Sequence, residues 1–172
     1  MTMDFQTWMR IVWQSVTEPA QTAAKVLTLQ FPKEALWTAL ALVAVLNVLF
    51  LGALQLVTLE VAAQTVIPTP FTYLAIVGSF LVFLVFMLVH AGRMMGGTGT
   101  IEGSLSLLVW FQAVALTLQG VQVILVLLSP TVAALFGLIS TGAIMWVFVN
   151  LVNVLHGFNS LGKAVLVVLI AM

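Results

Sequence analysis

From Gly103 to Gly162 the chain runs for 60 residues without a single Asp, Glu, Lys or Arg. A water-soluble fold keeps itself soluble with surface charge. A fold immersed in lipid does the reverse, because a charge at the bilayer centre costs ~2.5–3.5 kcal/mol even on a lenient insertion scale. The whole chain agrees: it is 63% hydrophobic and 6% charged, where globular domains average ~25% charged. The five basic residues (Arg10, Lys25, Lys33, Arg93, Lys163) balance the five acidic ones (Asp4, Glu18, Glu34, Glu60, Glu102). With no net charge to attract nucleic acid, that class of partner is set aside. There is no cysteine, hence no disulfide, thiolate nucleophile or Cys-based metal site. The opening Met-Thr-Met-Asp-Phe-Gln carries an acid where a secretory signal carries basic residues, so no cleaved signal is expected.

At ~1.5 Å per helical residue, crossing a ~30 Å hydrocarbon core takes about 20 apolar residues. That ruler predicts spans over about 35–57, 71–89, 104–128, 131–155 and 161–172. The first opens with Trp37 at interface depth and is flanked by Glu34 and Glu60; the second is entered through Pro68 and Pro70, which cannot continue a preceding helix. The uncharged run must fold back on itself, and Ser129-Pro130 is its obvious turn. The last span is short. Only Ala164 to Met172 follow Lys163, enough for ~14 Å of helix, so it is expected to be short, tilted or set in thinned bilayer. Every basic residue falls before span one, between spans two and three, or between four and five. The positive-inside rule then puts the N-terminus in the cytoplasm.

Residues 1–34 differ in character. Phe5, Trp8, Met9, Val12, Trp13 and Val16 recur at helical spacing, opposite Asp4, Gln6, Thr7, Arg10 and Gln14. This pattern fits a helix in the membrane interface with Trp8 and Trp13 at headgroup depth, acting as a packing strap, a lipid or curvature sensor, or a docking site. Asp4 can cap it and Pro19 ends it, opening a second short helix over Ala20 to Leu29. The expected fold is therefore an all-α membrane protein of one domain. Five transmembrane helices, the last one short, follow one or two interfacial amphipathic helices.

Chemistry is scarce. The spans hold no ionisable side chain at depth, and Arg93, Glu102, His156 and Lys163 fall at the cytoplasmic ends, where long side chains reach water. Trp37, Arg93, His156 and Lys163 accordingly join Trp8 and Trp13 as membrane-interface candidates. What the spans do carry is neutral amides: Asn47 in span one, Gln112, Gln119 and Gln122 near one face of span three with Thr117 close by, and Asn150 and Asn153 in span four. Such groups bond helices together or line a polar path. Small residues stand at close-approach spacing, Ala113, Thr117 and Gly120 in span three and Ala133, Gly137 and Thr141 in span four. The glycine-rich stretch Gly92 to Gly103 lacks the Gly-Lys-Ser/Thr of a phosphate loop and the preceding strand of a dinucleotide fingerprint. It is read as a tight turn, with Thr100 capping span three and Glu102 complementing its dipole. No His-Glu-x-x-His and no Gly-x-Ser-x-Gly occurs. No catalytic, cofactor-binding or metal-ligating residue is assigned, and the protein is expected not to be an enzyme.

Three segments together resemble a known family: Ser-Val-Thr-Glu-Pro-Ala (Ser15 to Ala20), Gly-Gly-Thr-Gly (Gly96 to Gly99) and Leu-His-Gly-Phe-Asn-Ser-Leu-Gly-Lys-Ala (Leu155 to Ala164). The chain is similar to a bacterial member of the Yip domain, or Ypt-interacting-protein, family of five-span membrane proteins. The resemblance covers roughly residues 15–172. It implies a compact five-helix domain with a cytoplasmic N-terminus in the bacterial inner membrane. Eukaryotic relatives are associated with Rab-type GTPases and organelle shaping. They have a longer N-terminal region and an Asp-Leu-Tyr-Gly-Pro motif, whereas the single tyrosine here, Tyr73, lies in Phe-Thr-Tyr-Leu; that role does not transfer. The expectation is a non-enzymatic oligomeric membrane organiser or an accessory subunit of a larger complex, with the lipid bilayer and itself or other membrane proteins as partners. The alternative is a transporter or channel component built on the amides of spans three and four.

Overall fold

The structure, a computed structural model, describes residues 4–57 and 69–172, and these form seven helices: α1 Phe5–Thr17, α2 Pro19–Thr28, α3 Lys33–Val57, α4 Pro70–Met94, α5 Ile101–Leu128, α6 Pro130–His156 and α7 Leu161–Ala171. Glu60, Pro68 and the connection between spans one and two lie outside the described residues, apart from its last two positions. Four helices, over 33–55, 70–94, 101–128 and 130–156, are long and apolar enough to cross a membrane, and α7 is shorter. The segment expected as the last span is an 11-residue helix, shorter than the four counted as long enough to cross.

Local rules account for the helix ends. Thr100 starts α5 by accepting from the Gly103 amide at 3.1 Å, and Thr69 starts α4 by accepting from the Thr72 amide at 3.2 Å with Pro70 at the first helical position. Ser129 alone separates α5 from α6. Its hydroxyl accepts from Val132 N–H at 3.4 Å and Pro130 follows in the first turn. Gly157 ends α6 in the left-handed region at φ 64°, where a Cβ is penalised. Asp4 holds the N-cap position of α1, but its carboxylate makes no cap hydrogen bond; only its backbone carbonyl engages, accepting from Trp8 N–H.

The core lies among α3, α4, α5 and α6, with α7 closing the side between α4 and α6. Leu36, Leu40 and Val43 of α3 meet Leu81, Leu84, Val85 and Leu88 of α4 and Leu105, Leu108 and Leu116 of α5 in one cluster. Ser104 fixes the register of α4 against α5 by donating to the Val85 carbonyl at 3.2 Å. Lys33 and Glu102 pair across the starts of α3 and α5, which therefore run parallel. Lys33, Arg93 and Lys163 all fall at this end of the bundle, hereafter the basic end.

A second cluster seats α2 on the bundle: Ala23 and Val26 pack with Leu107 of α5 and Val147, Leu151 and Leu155 of α6. From there α1 leans down the flank of the bundle rather than lying across its end. Ser15 accepts from Trp110 Nε1 at 3.2 Å, and Trp8 Nε1 donates to Thr117 Oγ1 at 3.2 Å. Thr117 lies ~24 Å along α5 from Ile101 and Trp110 only ~14 Å, so the chain rises toward the basic end as it passes from Trp8 to Ser15. The faces of α1 also differ from the sequence pattern. Trp8, Val12 and Ser15 turn inward, whereas Phe5 and Trp13 point away, Trp13 being 67% exposed.

Candidate functional site

The sequence places His156 at an interface, yet the structure buries it to 2% exposure. Three glycines make the room. A Cβ on Gly97 would fall 2.6 Å from His156 Cβ, one on Gly99 would fall 2.5 Å from Cε1, and one on Gly92 would overlap the ring itself. Of the four glycines between 92 and 99, only Gly96 needs a positive φ; the other three are glycine because the imidazole occupies the space a side chain would take. The turn expected over this stretch is present, with Gly96 N–H bonded to the Arg93 carbonyl, but its composition is set by His156.

The ring is pinned. Gly99 N–H donates to His156 Nδ1 at 3.2 Å, so Nδ1 carries no proton and the ring N–H stands at Nε2. Thr98 N–H donates to the His156 carbonyl at 3.2 Å. Phe158 stacks on the imidazole at 5.2 Å, and the Lys163 ammonium lies 5.8 Å above Phe158. Arg93 Nε donates to the Gly99 carbonyl at 3.3 Å. The α4–α5 turn, the end of α6 and the start of α7 are thereby joined through one side chain. Among the described residues, His156 Nε2 and Asn153 Oδ1 are buried without a hydrogen-bond partner. The spacing of 153 and 156 puts this donor and acceptor on one face of α6.

The amides fall into separate places instead of one stripe. Asn47, Gln119 and Gln122, together with Tyr73, line a cleft of 260 Å³ between α3, α4 and α5. Gln112 lies outside it and, among the described residues, makes no side-chain hydrogen bond, and Asn150 is buried with its amide turned back to the Trp146 carbonyl at 2.8 Å. The close-approach positions are used within the chain: Gly137 faces the Gln122 amide, a Cβ on Gly120 would meet the Phe50 ring at 3.5 Å, Ala133 is buried, and Thr117 receives Trp8. Thr141 remains exposed, its hydroxyl donating to the Gly137 carbonyl. Trp37 packs against Phe86 at 6.4 Å on the outer face of α3 and α4.

The three segments singled out in the sequence each carry one of these contacts: Ser15 receives Trp110, the glycine turn wraps His156, and the Leu155 to Ala164 stretch supplies His156, Phe158 and Lys163. The Yip1 domain family model matches residues 13–172. The chain belongs to the Yip1 domain family. No curated protein and no solved structure matches it. In Yip1-family terms, the matched region takes in all of α2 to α7 and the last turn of α1. The contact of His156 with its glycines escapes sequence reasoning because Gly99 and His156 stand 57 positions apart. The signal that was available is the excess of glycine in a turn whose backbone requires it at one position only.

Proposed function

We propose that this Yip1-family membrane protein is a non-enzymatic organiser, acting as an oligomer or as an accessory subunit of a larger complex. In this reading it has five spans in the bacterial inner membrane and a cytoplasmic N-terminus. The observation that carries it is where the polar side chains are spent. The His156 ring ties the α4–α5 turn to α6, Ser104 ties α5 to α4, and the Trp110 and Trp8 indoles tie α1 to α5. Polar groups used in this way hold a rigid shape. The outer face of α6 supports assembly: Leu138, Ile139, Thr141, Gly142 and Met145 are exposed, and nothing lies within 4 Å of a Cβ on Gly142. Chemical crosslinking of the full chain in its native membrane tests this. Discrete crosslinked species are expected, whereas recovery of uncrosslinked monomer at every crosslinker length refutes it.

The cleft lined by Asn47, Gln119 and Gln122 favours a second reading, a transporter or channel component. Replacing Asn47, Gln119 and Gln122 by leucine abolishes flux in reconstituted vesicles under that reading, and leaves folding and assembly intact under the first.

A further inference from the structure

The amide cleft gathers polar side chains from three helices. Its polar lining is Asn47 from α3, Tyr73 from α4 and Gln119 and Gln122 from α5, set among Phe50, Leu51, Leu54 and Val123. Asn47 Nδ2 is bonded to the Val43 carbonyl at 2.7 Å. Among the described residues the Tyr73 hydroxyl, both glutamine amides and Asn47 Oδ1 have no partner. In hydrocarbon, donors and acceptors converging unpaired on one space are costly unless something bonds them.

Depth narrows what that is. Tyr73 lies ~5 Å along α4 from Pro70, and Gln122 and Gln119 lie ~9 and ~14 Å from the Leu128 end of α5. With α5 ~42 Å long and the hydrocarbon ~30 Å thick, these side chains stand from the rim of the hydrocarbon to roughly 8 Å inside it. That is the zone of lipid ester groups and first methylenes, on the side away from the basic end. The cleft lining holds no Lys, Arg or His, so a charged phosphate drawn into it would have no counter-charge there. A second cavity of 270 Å³, bounded by Gly52, Gln55, Thr69 and Pro70, shares Leu51 and Tyr73 with the first and continues it toward the Pro70 end. Each volume is large enough to take a head of glycerol size.

We infer that this cleft binds the uncharged head of a glycerolipid bearing a free hydroxyl, the diacylglycerol class, in the leaflet opposite the basic end. The Gln119 amide N–H and the Tyr73 hydroxyl donate to the two ester carbonyls, the Asn47 side-chain carbonyl accepts from the lipid hydroxyl, and the acyl chains run down the apolar walls into the bilayer. The inference does not rest on the organiser reading, since a site within one chain is present in a monomer and in an assembly alike.

Native mass spectrometry of the full chain released from detergent tests it, with dioleoylglycerol as probe and dioleoylphosphatidylglycerol, which has the same chains, as control. The expected result is a one-to-one adduct with dioleoylglycerol formed at lower concentration than with the control. At about threefold per hydrogen bond lost, Tyr73→Phe weakens the adduct about threefold and Tyr73→Phe with Gln119→Leu about eightfold. Gln112→Leu, outside the cleft, leaves it unchanged. Tyr73→Phe removes one oxygen and no packing volume, so a change there is not a folding failure, and far-UV circular dichroism on each variant confirms this. Equal binding of the two lipids overturns the inference, as does equal weakening by Gln112→Leu. Loss of the chain dimer in place of the lipid adduct when the cleft is altered also overturns it, for the amides then serve a second copy.

Discussion

Gly92→Ala sets helix propensity directly against tertiary packing. Inside a helix, alanine is favoured over glycine by ~0.8–1 kcal/mol, so on propensity alone the substitution in α4 stabilises. Packing says the opposite, because the new methyl group falls on the imidazole of His156. The ring has nowhere to retreat, with Gly97 and Gly99 against its other sides and Phe158 stacked at 5.2 Å. Overfilling a packed core costs ~1–3 kcal/mol. Displacing the ring also strands the buried Gly99 N–H, a further ~1–3 kcal/mol. After subtracting the propensity gain, the net loss is about 3 kcal/mol at mid-range. The assay is reversible unfolding from mild detergent into sodium dodecyl sulfate, followed by far-UV circular dichroism, on wild type, Gly92→Ala, His156→Ala and the double variant. His156→Ala vacates the space that the methyl group needs. The double variant is therefore expected to be more stable than the sum of the two single losses by at least ~1.5 kcal/mol. A Gly92→Ala variant as stable as wild type, or two losses that simply add, refutes the cradle.

Gly137→Ala makes the useful contrast: its Cβ meets only the far end of the Gln122 side chain, 2.6 Å from Nε2, which can swing aside, so the same unfolding assay is expected to show a change within ~1 kcal/mol, in the stabilising direction. Trp8→Phe deletes the donor to Thr117 and is expected to lose ~0.6 kcal/mol in that assay, while Trp13→Phe, at a 67% exposed position, changes nothing measurable. Thr100→Ala removes the α5 cap and is expected to cost ~1 kcal/mol. Lys33→Gln breaks an ion pair exposed to solvent on both sides, and its unfolding curve is expected to overlay that of wild type at high salt.

What the sequence made legible is what chain-local physics decides. Hydrophobic length marked the long helices, and Thr100, Ser129, Pro70 and Pro130 marked their starts, because a cap acts within three residues of itself. The helices begin and end a few residues beyond the apolar runs, since α3 takes in Lys33 and α4 takes in Arg93, whose long stems let charge reach water from inside a helix end. His156 was not legible. A lone histidine in a charge-poor segment reads as interfacial, and only the fold brings the Gly92 to Gly99 turn around it. The amides were half legible: offsets of seven and ten put Gln112, Gln119 and Gln122 near one side of α5, but which of them meet Asn47 depends on where α3 crosses α5, which no periodicity encodes.

The small residues carry a consequence for assembly. Close-approach spacing on a membrane helix cannot tell a neighbour in the same chain from a second copy, since lipid removes the hydrophobic drive in both cases and packing alone decides. Here the bundle claims most of those positions for itself. Gly137 accommodates Gln122, Gly120 accommodates Phe50 and Thr117 receives Trp8, so none of them is free to seat another chain. Copies that associate through α6 must do so around Thr141 and Gly142, and the Thr141 hydroxyl is already bonded to its own helix. Contact there would rest on shape, without interhelical hydrogen bonds, so bulk is the change that matters: Gly142→Leu blocks it, whereas Thr141→Val, which keeps the shape and deletes the hydroxyl, leaves crosslinking as it was. An interface that lost its crosslinks to Thr141→Val would instead be held by polar bonds, and the uncovered face of α6 would not be the surface that holds it.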